Sequence, residues 1–170
     1  MSNWQSSDLQ VNGLRLHYTR TGGTKPPLVL VHGFSDDGSC WNPVAERFED
    51  DYDVIMPDAR GHGFSEASEH DYSISSQAAD LHGIITALGL HKPLILGHSM
   101  GAINTLALAG LYPDVPGAIL LEDPPAWWMK SGLPKASTPE QLAKMRESFT
   151  ARKSQSREAL IAAEHRTNPT

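Results

Sequence analysis

Cysteine is almost absent. Cys40 stands alone in 170 residues, so no disulfide closes within the chain, and a reducing compartment is the expected setting. Excess positive charge is also missing: 14 Lys and Arg against 20 Asp and Glu leave a net charge of −6, with no basic block or stripe. That speaks against nucleic acid and anionic membrane as partners. No apolar run reaches the ~18 residues that cross a bilayer. The polar start, Met1 to Asp8, lacks the charged lead and apolar stretch of a secretory leader. Repeats and low-complexity tracts are absent too. The expectation is an acidic cytoplasmic protein, and 39% hydrophobic residues suffice for one packed domain or most of one.

What is present is an alternation of two patterns. Leu9 to Thr21 reads as a hairpin, with Asn12-Gly13 at the turn and Leu14, Leu16 and Tyr18 alternating with polar neighbours. Pro27–Val31, Tyr52–Met56, Pro93–Leu96 and Gly117–Leu121 are short apolar runs of the kind buried on both faces of a parallel sheet. Between them, Trp41, Val44, Ala45 and Phe48 recur at helical spacing. Ser73 can cap a helix whose apolar face is Ile74, Ala78, Leu81, Ile85 and Leu88, closed by Gly89. Strands alternating with helices predict an α/β fold with right-handed crossovers and helices on both faces. After Asp123 the pattern changes. Pro124-Pro125 breaks the chain, Trp127-Trp128-Met129 follows, and Thr138-Pro139-Glu140-Gln141 is a helix start. Two polar-faced helices are expected, over 141–151 and 157–166, giving a core of 1–123 and helical elements over 124–170.

The string Gly97-His98-Ser99-Met100-Gly101 joins a predicted strand to a predicted helix. A sharp turn there brings helix and strand backbones together, so side chains at 97 and 101 would clash. The bend lifts the Ser99 hydroxyl above the sheet edge and aims the Met100 N–H at whatever Ser99 attacks. The competing reading is a serine that merely caps the helix. A serine nucleophile needs a histidine base and a carboxylate to orient it.

Three strings together, Val31-His32-Gly33-Phe34, Asp58-Ala59-Arg60-Gly61-His62-Gly63-Phe64-Ser65 and Gly97 to Gly101, make residues 9–123 resemble the N-terminal part of the α/β-hydrolase fold. The resemblance implies a mostly parallel sheet, cut after about its sixth strand and followed by helical lid elements. It implies Ser99 as nucleophile, with the Phe34 and Met100 N–H groups as the oxyanion hole. His32 is then expected to shape the oxyanion loop and border the substrate rather than act as base. Asp58, Arg60 and His62 are expected to be structural, and His98 to pack locally. Asp123, at the end of the last strand, is the candidate acid. Phe34, Trp127 and Trp128 are candidate substrate contacts.

The implied activity is hydrolysis of an uncharged ester or related acyl bond, with no metal or organic cofactor. Serine rather than aspartate at the elbow argues against halide displacement and epoxide opening. Perhydrolase, lactonase and C–C hydrolase chemistry share the elbow, and a non-catalytic small-molecule receptor is the rival of another class. The family's base lies on a loop after a later strand. His165 has the right chain order but falls in an expected lid helix. The expectation is therefore a truncated chain, with an open strand edge that takes a complementing C-terminal fragment or a domain-swapped second copy.

Overall fold

Asn12 and Gly13 adopt φ of 51° and 80°, the two left-handed positions that a tight hairpin turn requires. They join β1 (Gln5–Val11) to β2 (Leu14–Arg20). The molecule is described by a computed structural model over residues 4–125, 138–153, 155, 156 and 159. The first strand begins four residues before the expected Leu9. Ser6, Ser7 and Asp8 are polar, yet they pair in register with Thr19, Tyr18 and His17. An edge strand needs no apolar alternation where its side chains bond across the ladder.

Four further strands follow: β3 (Pro27–Val31), β4 (Asp53–Pro57), β5 (Leu94–His98) and β6 (Ala118–Glu122). The sheet order is β1-β2-β4-β3-β5-β6. The β1–β2 and β2–β4 pairs are antiparallel, and the β4–β3, β3–β5 and β5–β6 pairs are parallel. Alternation along β3 sends Val29 and Val31 to one face and Leu28 and Leu30 to the other. The first face packs on α2 (Ile74–Ala87) through Ala78, Leu81 and Ile85, and on α3 (Met100–Leu111) through Leu108. The second packs on Trp41, in a 3-10 turn over Gly38–Trp41, and on Ala45 of α1 (Asn42–Phe48). The Ser73 hydroxyl caps α2 by accepting from the Ser76 N–H at 3.3 Å, and Gly89, at φ 63°, ends it.

Three burial expectations are corrected. Ile74 and Phe48 are largely exposed, each at an end of its helix; Ile84 is buried instead. β6 was expected to be buried on both faces. Leu120 and Leu121 are 53% and 37% exposed, because among the described residues β6 has a strand neighbour on one side only and packs through Ile119.

The chain divides into two compact units after Pro125. In the second, α4 runs over Pro139–Lys153. Its start is a reciprocal cap: the Thr138 N–H donates to Gln141 Oε1 at 2.7 Å, and the Gln141 N–H donates to Thr138 Oγ1 at 3.2 Å. The helix expected over 157–166 lies outside the described residues, Ala159 excepted.

Candidate active site

One residue, Ser99, links β5 to α3. Its φ of 50° and ψ of −111° lie where non-glycine residues rarely go, at a cost of about 1–3 kcal/mol. Backbone bonds on both sides hold it there. The Ser99 N–H donates to the Glu122 carbonyl at 2.9 Å, and its own carbonyl accepts from the Ala102 N–H at 3.0 Å and from the Ile103 N–H at 3.3 Å. The hydroxyl makes no capping bond to α3, so capping does not explain a serine here.

The flanking glycines follow from contact distances. A Cβ on Gly97 would lie 2.3 Å from the Gly101 carbonyl oxygen, and one on Gly101 would lie 2.2 Å from that of Val31 and 2.7 Å from that of His32. The first turn of α3 therefore rests on the end of β3, where the next loop departs. Met100 opens this helix, where an N–H has no intrahelical acceptor and the helix dipole is positive.

That next loop is pinned by His32. The ring is fully buried. Its Nε2 accepts from the Ala59 N–H at 2.9 Å, so Nδ1 carries the hydrogen and donates to the Gly33 carbonyl at 2.7 Å. Burial pushes its pKa down, with the Gly33 bond opposing. Both nitrogens are engaged with loop backbone and the ring is buried, so the contacts His32 makes are with the loop rather than with open space. In a trans peptide, C=O and N–H point in opposite directions. Fixing the Gly33 carbonyl on the buried His32 therefore turns the Phe34 N–H the other way. The Phe34 side chain is 57% exposed.

The remaining motif residues are scaffold. Asp58 is buried; its Oδ1 accepts from the Gly38 N–H at 2.7 Å and its Oδ2 from the Phe64 N–H at 2.9 Å. Arg60 is buried against Asp80, with Nε 2.6 Å from Oδ2. The His98 ring packs against Gly33. Asp123 is exposed with φ 44°. The β5–β6 register pairs Gly97 with Leu121 and His98 with Glu122, and Ser99 and Asp123 are the residues that follow these two strand ends. The Cys40 thiol is pushed up to about 11 by its partial burial and by Asp36, Asp37 and Asp58, which keeps it protonated and a poor nucleophile at neutral pH. Among the described residues no histidine bonds to Ser99. Trp127, Trp128 and His165 lie outside them.

Sequence reasoning missed two features. The Arg60–Asp80 pair joins a motif to an unremarked helix position. His62 bonds to the Phe34 carbonyl at 2.8 Å; the motif named the residue, but spacing carried no sign of its partner.

A family model described as "alpha/beta hydrolase fold" matches residues 26–168. The chain is 38% identical over 121 residues to N-formylmaleamate deformylase of Pseudomonas putida, covering 69% of this chain and 44% of that protein. It is 30% identical to Epoxide hydrolase 1 of Caenorhabditis elegans, covering 68% and 29%. Among solved structures, an N-formylmaleamic acid deformylase from Pseudomonas putida S16 superposes with TM-score 0.66 at 35% identity, covering 71% of this chain and 47% of that one. The chain spans less than half the length of these curated relatives. No helix among the described residues is long and apolar enough to cross a membrane.

Proposed function

The chain belongs to the α/β-hydrolase fold family, and from that premise we propose that it supplies the nucleophile half of a serine hydrolase acting on an ester or related acyl bond. The observation that carries this is the Ser99 backbone, at φ 50° and ψ −111°, with the hydroxyl left out of any cap. Ser99 attacks the acyl carbon, an acyl-enzyme forms, and water releases the acid. The Met100 and Phe34 N–H groups receive the developing oxyanion, each worth about 3 kcal/mol by analogy with a measured oxyanion-hole donor in a serine protease. Asp123 serves as the acid that orients the base. The base itself comes from outside the described residues, since His32 and His62 are committed to backbone partners. A relative named as a deformylase supports an acyl bond as the target. Trp127 and Trp128 are proposed to border the acyl group.

A fluorophosphonate probe tests the reading. Rapid labelling that disappears in Ser99→Ala supports it. A wild-type protein that stays unlabelled and yet binds a small neutral ligand supports a receptor instead.

The exposed edge of β6 is proposed to pair with a complementing C-terminal segment or a swapped second copy, because an unpaired apolar strand is a template for another. Light scattering that finds a stably folded monomer of 170 residues removes this proposal. The compartment is proposed to be the cytoplasm, from the single cysteine.

A further inference from the structure

His62 stands between two carbonyl groups. Its Nε2 lies 2.8 Å from the Phe34 carbonyl oxygen, and its Nδ1 lies 3.0 Å from that of Arg60. Its ring is 5.2 Å from the His32 ring and 5.9 Å from the Phe34 ring. A carbonyl oxygen only accepts, and a neutral imidazole carries one N–H, so the Nε2–H form of His62 bonds the Phe34 carbonyl alone and an imidazolium bonds both. The loop that carries Phe34 is thus gripped twice. His32 holds the Gly33 carbonyl from within, and His62 holds the Phe34 carbonyl from the loop after β4.

The two grips act on different bonds. The Gly33 carbonyl belongs to the peptide before Phe34, and the Phe34 carbonyl to the peptide after it. A residue's φ and ψ are set by how these two peptide planes are turned. The Phe34 N–H lies in the first plane, so His32 sets its direction; holding the second plane as well restricts φ and ψ at Phe34 and keeps the loop from rocking about that amide. An oxyanion donor is effective only if it is aimed before the charge appears, so that no reorganisation accompanies the reaction.

We propose that His62 is a positioning residue that steadies the loop of the Phe34 amide by holding the Phe34 carbonyl, while His32 sets the direction of that amide. This rests on the Phe34 N–H being an oxyanion donor, as proposed above. His62 itself does not touch the reacting atoms. Asp58 ties the two loops as well, accepting from the Phe64 N–H after β4 and from the Gly38 N–H after β3.

The test compares His62→Ala and His62→Gln with wild type in the intact protein. A glutamine amide supplies an N–H to the same carbonyl. In His62→Ala, fluorophosphonate labelling of Ser99 and the affinity of a boronic acid that forms a tetrahedral adduct are both expected to fall about 10- to 100-fold. KM for p-nitrophenyl acetate is expected to stay within about threefold, since ground-state binding does not use the donor. His62→Gln is expected to recover most of the loss. Equal losses in both variants, or a wild-type rate in His62→Ala, overturn the proposal. A second readout needs no chemistry: amide hydrogen exchange over residues 33–37 rises in His62→Ala and returns in His62→Gln. If wild-type Ser99 is never labelled, the hydrolase reading fails, and exchange alone then decides the clamp, which unchanged rates overturn.

Discussion

The Ser99 amide donates to the carbonyl of Glu122 over 2.9 Å. The strained residue at the elbow is therefore suspended from the outermost parallel strand, and the residue after Glu122 is Asp123, itself at φ 44°. Two adjacent strand ends thus each carry a non-glycine residue in left-handed backbone, a concentration of strain that marks sites where geometry matters more than comfort.

Asp123→Asn separates charge from backbone, because asparagine also tolerates the left-handed region. Fluorophosphonate labelling of Ser99 in the intact protein is expected to slow by about 10²- to 10⁴-fold, the range seen when an orienting carboxylate becomes an amide. The unfolding free energy is expected to change by less than about 0.5 kcal/mol. An unchanged labelling rate moves the acid elsewhere.

Two glycines of α3 give opposite outcomes. At Gly101 an added methyl meets the Val31 carbonyl oxygen at 2.2 Å, backbone against backbone, so Gly101→Ala is expected to lose about 2–3 kcal/mol. At Gly110 nothing lies within 4 Å. Gly110→Ala is expected to gain about 0.5–1 kcal/mol from helix propensity. Urea denaturation of the two variants measures both signs.

Arg60 and Asp80 are both buried, and the second carboxylate oxygen of Asp80 accepts from Asn12 Nδ2 at 2.9 Å. Asp80→Asn leaves the guanidinium without its counter-charge and is expected to lose about 3–5 kcal/mol. Arg60→Met combined with Asp80→Leu removes both charges and is expected to lose less than the single change. Equal losses would show that packing rather than charge governs the pair.

Burial holds the His32 pKa below its ordinary 6.5. The unfolded chain then binds a proton that the folded chain refuses, so stability is full above about pH 6.5 and declines as pH falls below it. Denaturation midpoints at about pH 8 and about pH 5.5 are expected to show the lower value at the acid pH, with a flatter dependence in His32→Gln. Asp71 has the other range. The Ser76 hydroxyl and the Ser73 N–H bring it down to about 2, so its contribution is present above 3.8 and disappears only as pH falls through about 2.

A second Ser–His–Asp string provides an internal control. Ser6 Oγ lies 2.9 Å from His17 Nε2, and His17 Nδ1 lies 2.8 Å from Asp8 Oδ1. These residues sit across the β1–β2 ladder, where neither a helix start nor a sharp turn brings amide donors to the serine. Mass mapping of the fluorophosphonate adduct is expected to find Ser99 and not Ser6. Labelling at Ser6 would show that the string alone suffices.

The parts of this fold that the sequence spelled out are those governed by local rules. Asn12-Gly13 forces a turn, Ser73 and Gly89 bracket α2, and Gly97 and Gly101 announce a close approach between backbones. Burial depends on what lies next door, which one segment cannot report. The run through Leu120 and Leu121 has the composition of an interior strand and stands at an edge among the described residues, and Ile74 fits the apolar spacing of α2 yet is exposed at the helix start. The site divided in the same way. Ser99, Met100 and Phe34 were named from strings, while the tie from His62 to Phe34 spans two loops that only folding brings together.

The sheet order also sets a timetable. The loop bearing Phe34 and the elbow bearing Ser99 grow from neighbouring strands that are far apart in the chain, joined by the Val31–Gly97 register. The Ser99 amide finds its acceptor only on β6. During synthesis, the early hairpin and β3 emerge long before either partner, and contacts of such long range form late. A nascent chain therefore presents its serine before the frame that would make it reactive is complete, and assembly of that frame waits for Glu122 to leave the ribosome.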